Sequence, residues 1–168
     1  MKTFKILLAS FLFAISMSAL ASGQWYAGAT SGYYGLGKSD HWAGEVELGQ
    51  MGFQVGGYFN DDVSLEMGFS DNLNSDGFSI LSLSALFWLG DYSSEYRPYF
   101  LLGHNSYDVD PSDESQADYS ASQIMIGGGI GTDLGNNFQF RAEGRYMLRK
   151  SVNEDDLGIQ FSINRFFD

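Results

Sequence analysis

Cysteine is absent from this 168-residue chain, and proline occurs only twice. The lack of cysteine excludes disulfides, thiolate zinc sites and thiol nucleophiles. Basic residues are also scarce, since 9 Lys and Arg stand against 21 Asp and Glu, for a formal net charge of −12. Such an acidic chain argues against nucleic acid as a partner, because phosphate binding requires a basic surface. Outside the extreme N-terminus, no apolar run reaches the roughly 18 residues of a transmembrane helix.

The N-terminal segment has the pattern of an export signal. A short lysine-containing start precedes a mostly apolar stretch over residues 6–20, and a small-x-small site ends at Ala21. We predict cleavage between Ala21 and Ser22, so that residues 1–21 form a signal peptide and residues 22–168 form one mature domain. An uncleaved N-terminal anchor is the alternative. Export of a chain without cysteine is compatible with a bacterial envelope protein.

Alternation of apolar and polar residues with a period of two dominates the rest of the sequence, and helix-period patterns are missing. In residues 138–149, an apolar face with Phe140 and Tyr146 opposes a charged face with Arg141 and Glu143. Successive strand side chains point to opposite faces, so each such segment separates an apolar side from a polar one. The sequence predicts an all-β domain of eight strands, over residues 24–33, 43–59, 63–71, 77–89, 97–107, 120–133, 138–149 and 156–167.

The connections between these strands alternate in length and composition. Residues 60–62 and 135–137 are tight, Asn-rich turn sequences, and residues 90–96 form a slightly longer connection at the same end. The connections at the other end, residues 34–42, 72–76, 108–119 and 150–155, are mostly longer and more polar. Short turns at one end and longer loops at the other are typical of outer-membrane barrels.

Alternation alone does not say which face meets the surroundings. A soluble lipocalin-type carrier would turn the apolar face inward around a ligand, whereas a membrane barrel turns it outward to lipid. Glycine and serine crowd the polar face, as a narrow lumen requires. Unpaired sheet edges have no partners in lipid, so a membrane sheet must close. We predict an eight-stranded antiparallel up-and-down transmembrane β-barrel.

Aromatic residues near the strand ends match the two lipid–water interfaces of such a barrel. We expect an interface position for Trp25, Phe59, Phe87, Tyr99 and Phe167 at the short-turn end, and for Tyr33, Phe69 and Tyr146 at the loop end.

Short motifs spread over the whole mature chain carry a family resemblance. They are Trp25-Tyr26-Ala27-Gly28-Ala29, Val55-Gly56-Gly57-Tyr58, Leu65-Glu66-Met67-Gly68-Phe69, Arg97-Pro98-Tyr99, Gly127-Gly128-Gly129-Ile130 and Arg141-Ala142-Glu143-Gly144-Arg145-Tyr146. In their order and spacing the chain resembles the N-terminal transmembrane barrel of OmpA-like outer-membrane proteins. The resemblance implies an eight-stranded barrel in the outer membrane of a Gram-negative bacterium. The periplasmic peptidoglycan-binding domain of many members is not carried over. At the C-terminus, Asn164 or Arg165 stands where family barrels have an aromatic residue.

Four charged residues point into the lumen by strand phase: Glu66, Arg141, Glu143 and Arg145. An unpaired charge in a narrow barrel is costly, so we expect these residues to form ion pairs. Arg141 is predicted to be the main partner of Glu66, with Glu143 bridging the two arginines.

The family resemblance also implies a lumen cluster of two acids, a lysine and an arginine. Glu66 and Arg141 match the first acid and the arginine, but Gly131 stands near the second acid and Leu86 near the lysine. A charged plug that fills the interior is one interpretation of the cluster, and a modified gate for small solutes is the other.

The expected role is structural or surface-interacting, without catalysis, cofactor or metal. The alternatives are a small porin-like channel, a lipid A-modifying enzyme and a soluble carrier; His104 and Ser106, with Glu114 or Asp118, are the residues that an enzyme would use. Expected partners are outer-membrane lipid and lipopolysaccharide, the barrel-assembly machinery and periplasmic chaperones during biogenesis, and surface ligands at the loops. We expect a monomer that does not bind nucleic acid.

Overall fold

A computed structural model describes residues 24–35, 49–72, 78–91, 94–109, 119–148 and 156–167 of the chain. These residues form eight strands: β1 (Trp25–Gly35), β2 (Gly49–Asn60), β3 (Val63–Asn72), β4 (Phe78–Trp88), β5 (Tyr96–Val109), β6 (Tyr119–Gly135), β7 (Phe138–Leu148) and β8 (Asp156–Phe167). Within the described part of the chain, no helix has the length and apolarity needed to cross a bilayer.

Each strand pairs antiparallel with the next, and β8 returns to pair with β1, which closes the barrel. The closing register runs from Trp25 opposite Phe167 to Gly35 opposite Leu157. The predicted all-β, eight-stranded, up-and-down architecture is therefore confirmed. The predicted signal peptide, with its cleavage site at Ala21 and Ser22, lies outside the described residues.

β5 and β6 are longer than the sequence predicts: their pairing continues further toward the loop end, and β6 also extends through Leu134 and Gly135 at the short-turn end. Asp108 pairs with Ser120 and Val109 with Tyr119, so the ladder extends beyond the expected strand ends. For β2, the first predicted residues, 43–48, lie outside the described ranges. Composition alone marked the polar strand ends as loop, whereas backbone pairing decides where a strand ends.

Asparagine side chains and left-handed backbone conformations shape two tight turns. Gly135, Asn136 and Asn137 have positive φ angles of 78°, 52° and 65°, a conformation that glycine and asparagine adopt more readily than other residues. In the β2–β3 turn, the Asn60 side-chain oxygen accepts the backbone N–H of Val63 at 2.8 Å. Both turn sequences thus fold as their residue types predict.

The strand alternation gives the barrel an apolar outer face and a filled lumen. Large side chains on the outer face are exposed, for example Phe100 at 62%, Ile124 at 54% and Ile163 at 51%. The lumen side chains are buried and include tyrosine, tryptophan, methionine, glutamine, glutamate and arginine. The barrel therefore has its core inside the lumen and its apolar wall outside.

Seven of the eight expected interface aromatics point outward: Trp25, Tyr33, Phe59, Phe69, Phe87, Tyr146 and Phe167. Trp25 stacks on Phe167 across the β1–β8 closure, with ring centroids 4.3 Å apart.

The expectation for Tyr99 is wrong, because this side chain points into the lumen and is only 2% exposed. Both faces of β5 carry apolar residues near the short-turn end, so strand position alone did not determine whether the Tyr99 side chain points inward or outward. Arg97, two residues earlier, is also buried and marks the same face as the inner one.

Candidate functional site

The lumen at the short-turn end contains a layer of aromatic side chains. Trp88 packs between two tyrosines, with its ring centroid 5.8 Å from that of Tyr58 and 4.6 Å from that of Tyr99. Tyr58 also contacts Tyr26, and Phe166 packs against both. These rings come from five strands and meet only because the sheet is closed. We call Tyr26, Tyr58, Trp88, Tyr99 and Phe166 the aromatic layer.

Two glycines make room for the tyrosines of this layer. A Cβ atom at Gly56 would lie 2.4 Å from Cζ of Tyr26, and one at Gly129 would lie 2.6 Å from the hydroxyl of Tyr99. Contacts this short do not occur between real side chains, so each tyrosine requires a glycine on the neighbouring strand. The glycines of β2 and β6 therefore determine where the tyrosine hydroxyls lie.

Glu66 and Arg141 form the first buried ion pair of the lumen. Nη2 of Arg141 contacts Oε2 of Glu66, and the relative exposures of the two side chains are 0% and 3%. The Tyr26 hydroxyl donates a second hydrogen bond to the same carboxylate oxygen at 3.0 Å. The structure thus brings together the two residues that the sequence paired, although they lie on β3 and β7.

Glu143 and Arg145 form the second buried ion pair. Both Nε and Nη2 of Arg145 donate to Oε1 of Glu143, and the Nε–Oε1 distance is 2.7 Å. The Tyr99 hydroxyl donates to the other carboxylate oxygen of Glu143 at 2.5 Å. The predicted bridge from Glu143 to both arginines is therefore wrong, because Arg141 donates to Glu66, Ser162 and Tyr26 instead.

Tyrosine rings, rather than a bridging carboxylate, connect the two ion pairs. Cζ of Arg141 lies 5.5 Å from the ring centroid of Tyr26 and 5.7 Å from that of Tyr99, within the range of cation–π contacts. Each tyrosine then donates its hydroxyl to one of the two glutamates. We call these four charged residues and two tyrosines the lumen cluster. Sequence reasoning missed both tyrosines.

A chain of hydrogen-bonded amides lies beside this cluster in the lumen. Gln160 donates to Gln54 at 3.3 Å, Gln54 donates to Asn164 at 2.7 Å, and Asn164 donates to Ser162 at 3.4 Å. Because Ser162 also accepts a hydrogen bond from Arg141, this chain of amides reaches the lumen cluster.

Gly131 and Leu86 stand where the resemblance to OmpA-like proteins places the second acid and the lysine of the lumen cluster. Gly131 borders the Trp88 ring, since a Cβ at Gly131 would lie 3.0 Å from Cζ3 of Trp88. Leu86 is fully buried. Arg97 lies 5.3 Å from the Trp88 ring centroid and donates to the backbone oxygen of Asp61 at 2.7 Å. An aromatic ring and an arginine thus occupy the lumen beside these positions.

The side chains considered for catalysis lie on the outer face. His104 and Ser106 are both exposed, and the imidazole is within hydrogen-bond distance of Ser122 on β6. The acids Glu114 and Asp118 lie outside the described residues. Among the residues that the structure describes, no three His, Cys, Asp or Glu side chains form a group that could hold a metal ion.

Comparison with known proteins gives structural neighbours only. No protein-family model matches the sequence, and no curated protein matches it. The N-terminal β-barrel domain of OprF from Pseudomonas aeruginosa superposes with a TM-score of 0.66 at 19% identity, covering 84% of this chain and 96% of that one.

Two further solved structures have similar scores. Neisserial surface protein A has a TM-score of 0.59 at 19% identity, over 87% of this chain and 100% of that one. Ail, the attachment invasion locus protein of Yersinia pestis, has a TM-score of 0.53 at 18% identity, over 86% and 97%. All three are outer-membrane β-barrels, and the fold of this chain is that of the eight-stranded outer-membrane barrels, consistent with the resemblance to OmpA-like proteins.

Proposed function

We propose that this chain is an integral outer-membrane barrel of a Gram-negative bacterium with a structural or surface-interaction role. Its lumen is closed by side chains, it has no catalytic activity, and its loops meet the cell surroundings. The exposed apolar wall supports the membrane location, since such a surface is unfavourable in water and favourable in lipid. The neighbours' fold supports the same location.

The main support for a closed lumen is that the aromatic layer and the lumen cluster fill it together. Two bulky rings, Trp88 and Tyr99, pack at 4.6 Å, and the guanidinium of Arg141 lies against Tyr99 on the side of the ion pairs. An eight-stranded barrel is just wide enough for side chains to fill. A solute would have to displace rings and buried ion pairs together, which is why we assign a plug rather than a pore.

The surface role rests on the long connections and on the neighbours' names. A rigid barrel anchors the ends of the connections between its strands, and binding residues concentrate in such connections. Two of the neighbours are a neisserial surface protein and an attachment invasion locus protein, names that favour a surface function for this fold. During biogenesis we expect periplasmic chaperones and the barrel-assembly machinery as partners, and lipopolysaccharide around the mature barrel.

A small channel is the second candidate function, and the loop-side lumen supplies the observation that favours it. Nε2 of Gln50 and Oε1 of Gln123 are buried without a hydrogen-bond partner in the described residues. Buried amides of this kind bind water readily. Water on the loop side would leave only the lumen cluster and the aromatic layer as barriers to a solute.

Planar-bilayer recording of the purified full chain separates the two candidates. We expect no steady conductance from the wild type. The double variant Trp88→Ala, Tyr99→Ala removes two rings of the aromatic layer and is expected to conduct. Gly144→Ala is the matched control, since it faces outward into open space and leaves the lumen unchanged. Steady conductance from the wild type, at the level of the double variant, would contradict the closed lumen.

A further inference from the structure

Arg165 is a charged residue on the otherwise apolar outer face of β8. Its neighbours two positions away on this face are Ile163 and Phe167, and Ile163 is 51% exposed. The Arg165 side chain is itself exposed. A guanidinium on a lipid-facing wall is unfavourable near the middle of a bilayer and becomes tolerable close to the headgroups. Its position along the strand therefore determines what it can contact.

Arg165 lies close to the short-turn end of the barrel. β8 ends at Phe167, so Arg165 is one outward position, about 6–7 Å along the strand, from that end. In the β7–β8 register, Arg165 lies directly opposite Phe138, the first residue of β7. The guanidinium thus lies where the apolar wall ends and the headgroups of the adjoining leaflet begin.

Two aromatic rings hold the guanidinium on this wall. Cζ of Arg165 is 5.4 Å from the ring centroid of Phe167 and 5.9 Å from that of Phe138. Phe167 is in turn stacked on Trp25, with an interplanar angle of 17°. On the other side, Arg165 pairs with Ala27, whose small side chain leaves the space beside the guanidinium open. The rings limit the conformations of the arginine, and its side chain stays exposed.

No carboxylate in the described residues forms an ion pair with Arg165, although the other described arginines each have one. A guanidinium presents several N–H donors in one plane, which matches the oxygens of a phosphate group. At this end of a membrane barrel, the phosphate diester of a phospholipid is an anion that such a guanidinium meets.

We propose that Arg165, positioned by Phe138 and Phe167, binds the phosphate of one phospholipid in the leaflet at the short-turn end. Ala27 and Ile163 then contact the start of the acyl chains. This inference rests on the proposed membrane location. It also gives a role to Arg165, one of the two residues that can stand at the C-terminal position where OmpA-like barrels have an aromatic residue.

Native mass spectrometry of the full chain, refolded in an uncharged detergent, tests this site. Phosphatidylglycerol is titrated against the wild type and Arg165→Gln, and the population with one bound lipid is measured. Loss of a charge-assisted hydrogen bond is expected to weaken binding of the first lipid about tenfold. Diacylglycerol, which has the same acyl chains without phosphate, is expected to bind both proteins equally.

Three controls decide the outcome. Arg165→Lys keeps the charge but loses the planar fork and is expected to bind with intermediate affinity. His104→Gln, on the outer face in the interior of β5 and remote from the short-turn end, is expected to bind as the wild type. Heat-modifiable migration on a gel verifies that each variant is folded.

Equal phosphatidylglycerol binding by folded wild type and folded Arg165→Gln would overturn the site, as would an equal loss of diacylglycerol binding. A chain that folds in buffer without detergent would instead contradict the proposed membrane location.

Discussion

At the residue scale, the lumen depends on two carboxylates that each accept from one arginine and one tyrosine. Glu66 is 2% exposed and Glu143 is 4% exposed, so both carboxylates are removed from bulk solvent. A buried carboxylate is tolerated only where ion pairing and hydrogen bonds replace its lost hydration. Arg141, which contacts Glu66 and both tyrosine rings, is consequently the residue on which most of these interactions converge.

Removing one partner of the Glu66–Arg141 pair should lower the free energy of unfolding more than removing both partners. Glu66→Gln leaves the buried Arg141 guanidinium without a counter-charge, and we expect the free energy of unfolding to fall by about 3–5 kcal/mol. Adding Arg141→Gln is expected to recover part of that loss, with a coupling of about 0.5–3 kcal/mol. Urea unfolding of the barrel in lipid vesicles measures both quantities.

The matched control combines Glu66→Gln with Arg145→Gln, because Arg145 belongs to the other ion pair. That combination should show weaker coupling than Glu66 with Arg141. Additive losses for Glu66 and Arg141 would mean that the two charges do not interact in the folded barrel.

Strand phase predicted from sequence that Glu66, Arg141, Glu143 and Arg145 lie inside, because a polar lumen accepts charged side chains more readily than a lipid-facing wall, but it left out Arg97, which is also buried. It did not identify Tyr26 and Tyr99 as partners of the glutamates. A tyrosine suits either face, as an interface residue outside or as a hydrogen-bond donor inside. The motif residues Gly56 and Gly129 could have signalled them, since a glycine in a strand often marks the close approach of another group.

At the element scale, β6 is shaped by a run of glycines. Gly127, Gly128 and Gly129 pair with Leu101, Phe100 and Tyr99 of β5, so bulky residues of one strand lie beside glycines of the next. Glycine weakens a strand intrinsically. Here it lets the neighbouring tyrosine ring lie across the strand, which alanine would prevent.

Gly129→Ala is expected to destabilise the barrel by about 1–3 kcal/mol, the usual cost of overpacking a filled interior. The added Cβ would lie 2.6 Å from the Tyr99 hydroxyl and 2.5 Å from the backbone oxygen of Ala142, so the ring and the strand cannot both keep their places. Urea unfolding in lipid vesicles measures the change. Gly144→Ala is the control, because no atom lies within 4 Å of its Cβ position and its stability should be unchanged or slightly higher. Equal stability of the two variants would show that the close approach of Tyr99 to Gly129 does not contribute to the stability of the barrel.

Strand boundaries illustrate what sequence patterns leave open at this scale. The tight turn at residues 135–137 was predicted because Gly and Asn in succession have few other uses. At the loop end, β5 extends two residues beyond its predicted bound and β6 extends one residue beyond its predicted bound, since Asp108 looks like a loop residue and still pairs. Backbone hydrogen bonds are indifferent to side-chain polarity, so composition underestimates strands that extend beyond the apolar wall.

At the scale of the whole molecule, closure follows from the requirement that every strand find two partners. β1 pairs with both β2 and β8, and the eight strands form one continuous ring in chain order. Period-two alternation with short turns predicts this topology, because few other arrangements of eight antiparallel strands leave no edge. Alternation is symmetric between the two faces, so the sequence alone left a carrier with an apolar interior as an alternative. In the structure, the apolar face is exposed on the outside of the barrel and the polar face lines the lumen, which resolves this ambiguity.

The most direct test of the central claim, an apolar wall facing lipid around a filled lumen, uses the absence of native cysteine. Single cysteines placed at Leu157, Ile159, Phe161 and Ile163 of β8 carry a spin label, and the barrel is reconstituted in phospholipid vesicles. Accessibility to oxygen, which partitions into lipid, and to a water-soluble nickel complex is measured at each position by electron paramagnetic resonance. Labels at Ile159 and Phe161 should be highly accessible to oxygen and protected from nickel. High nickel accessibility at both positions, or protection from both reagents, would contradict the account.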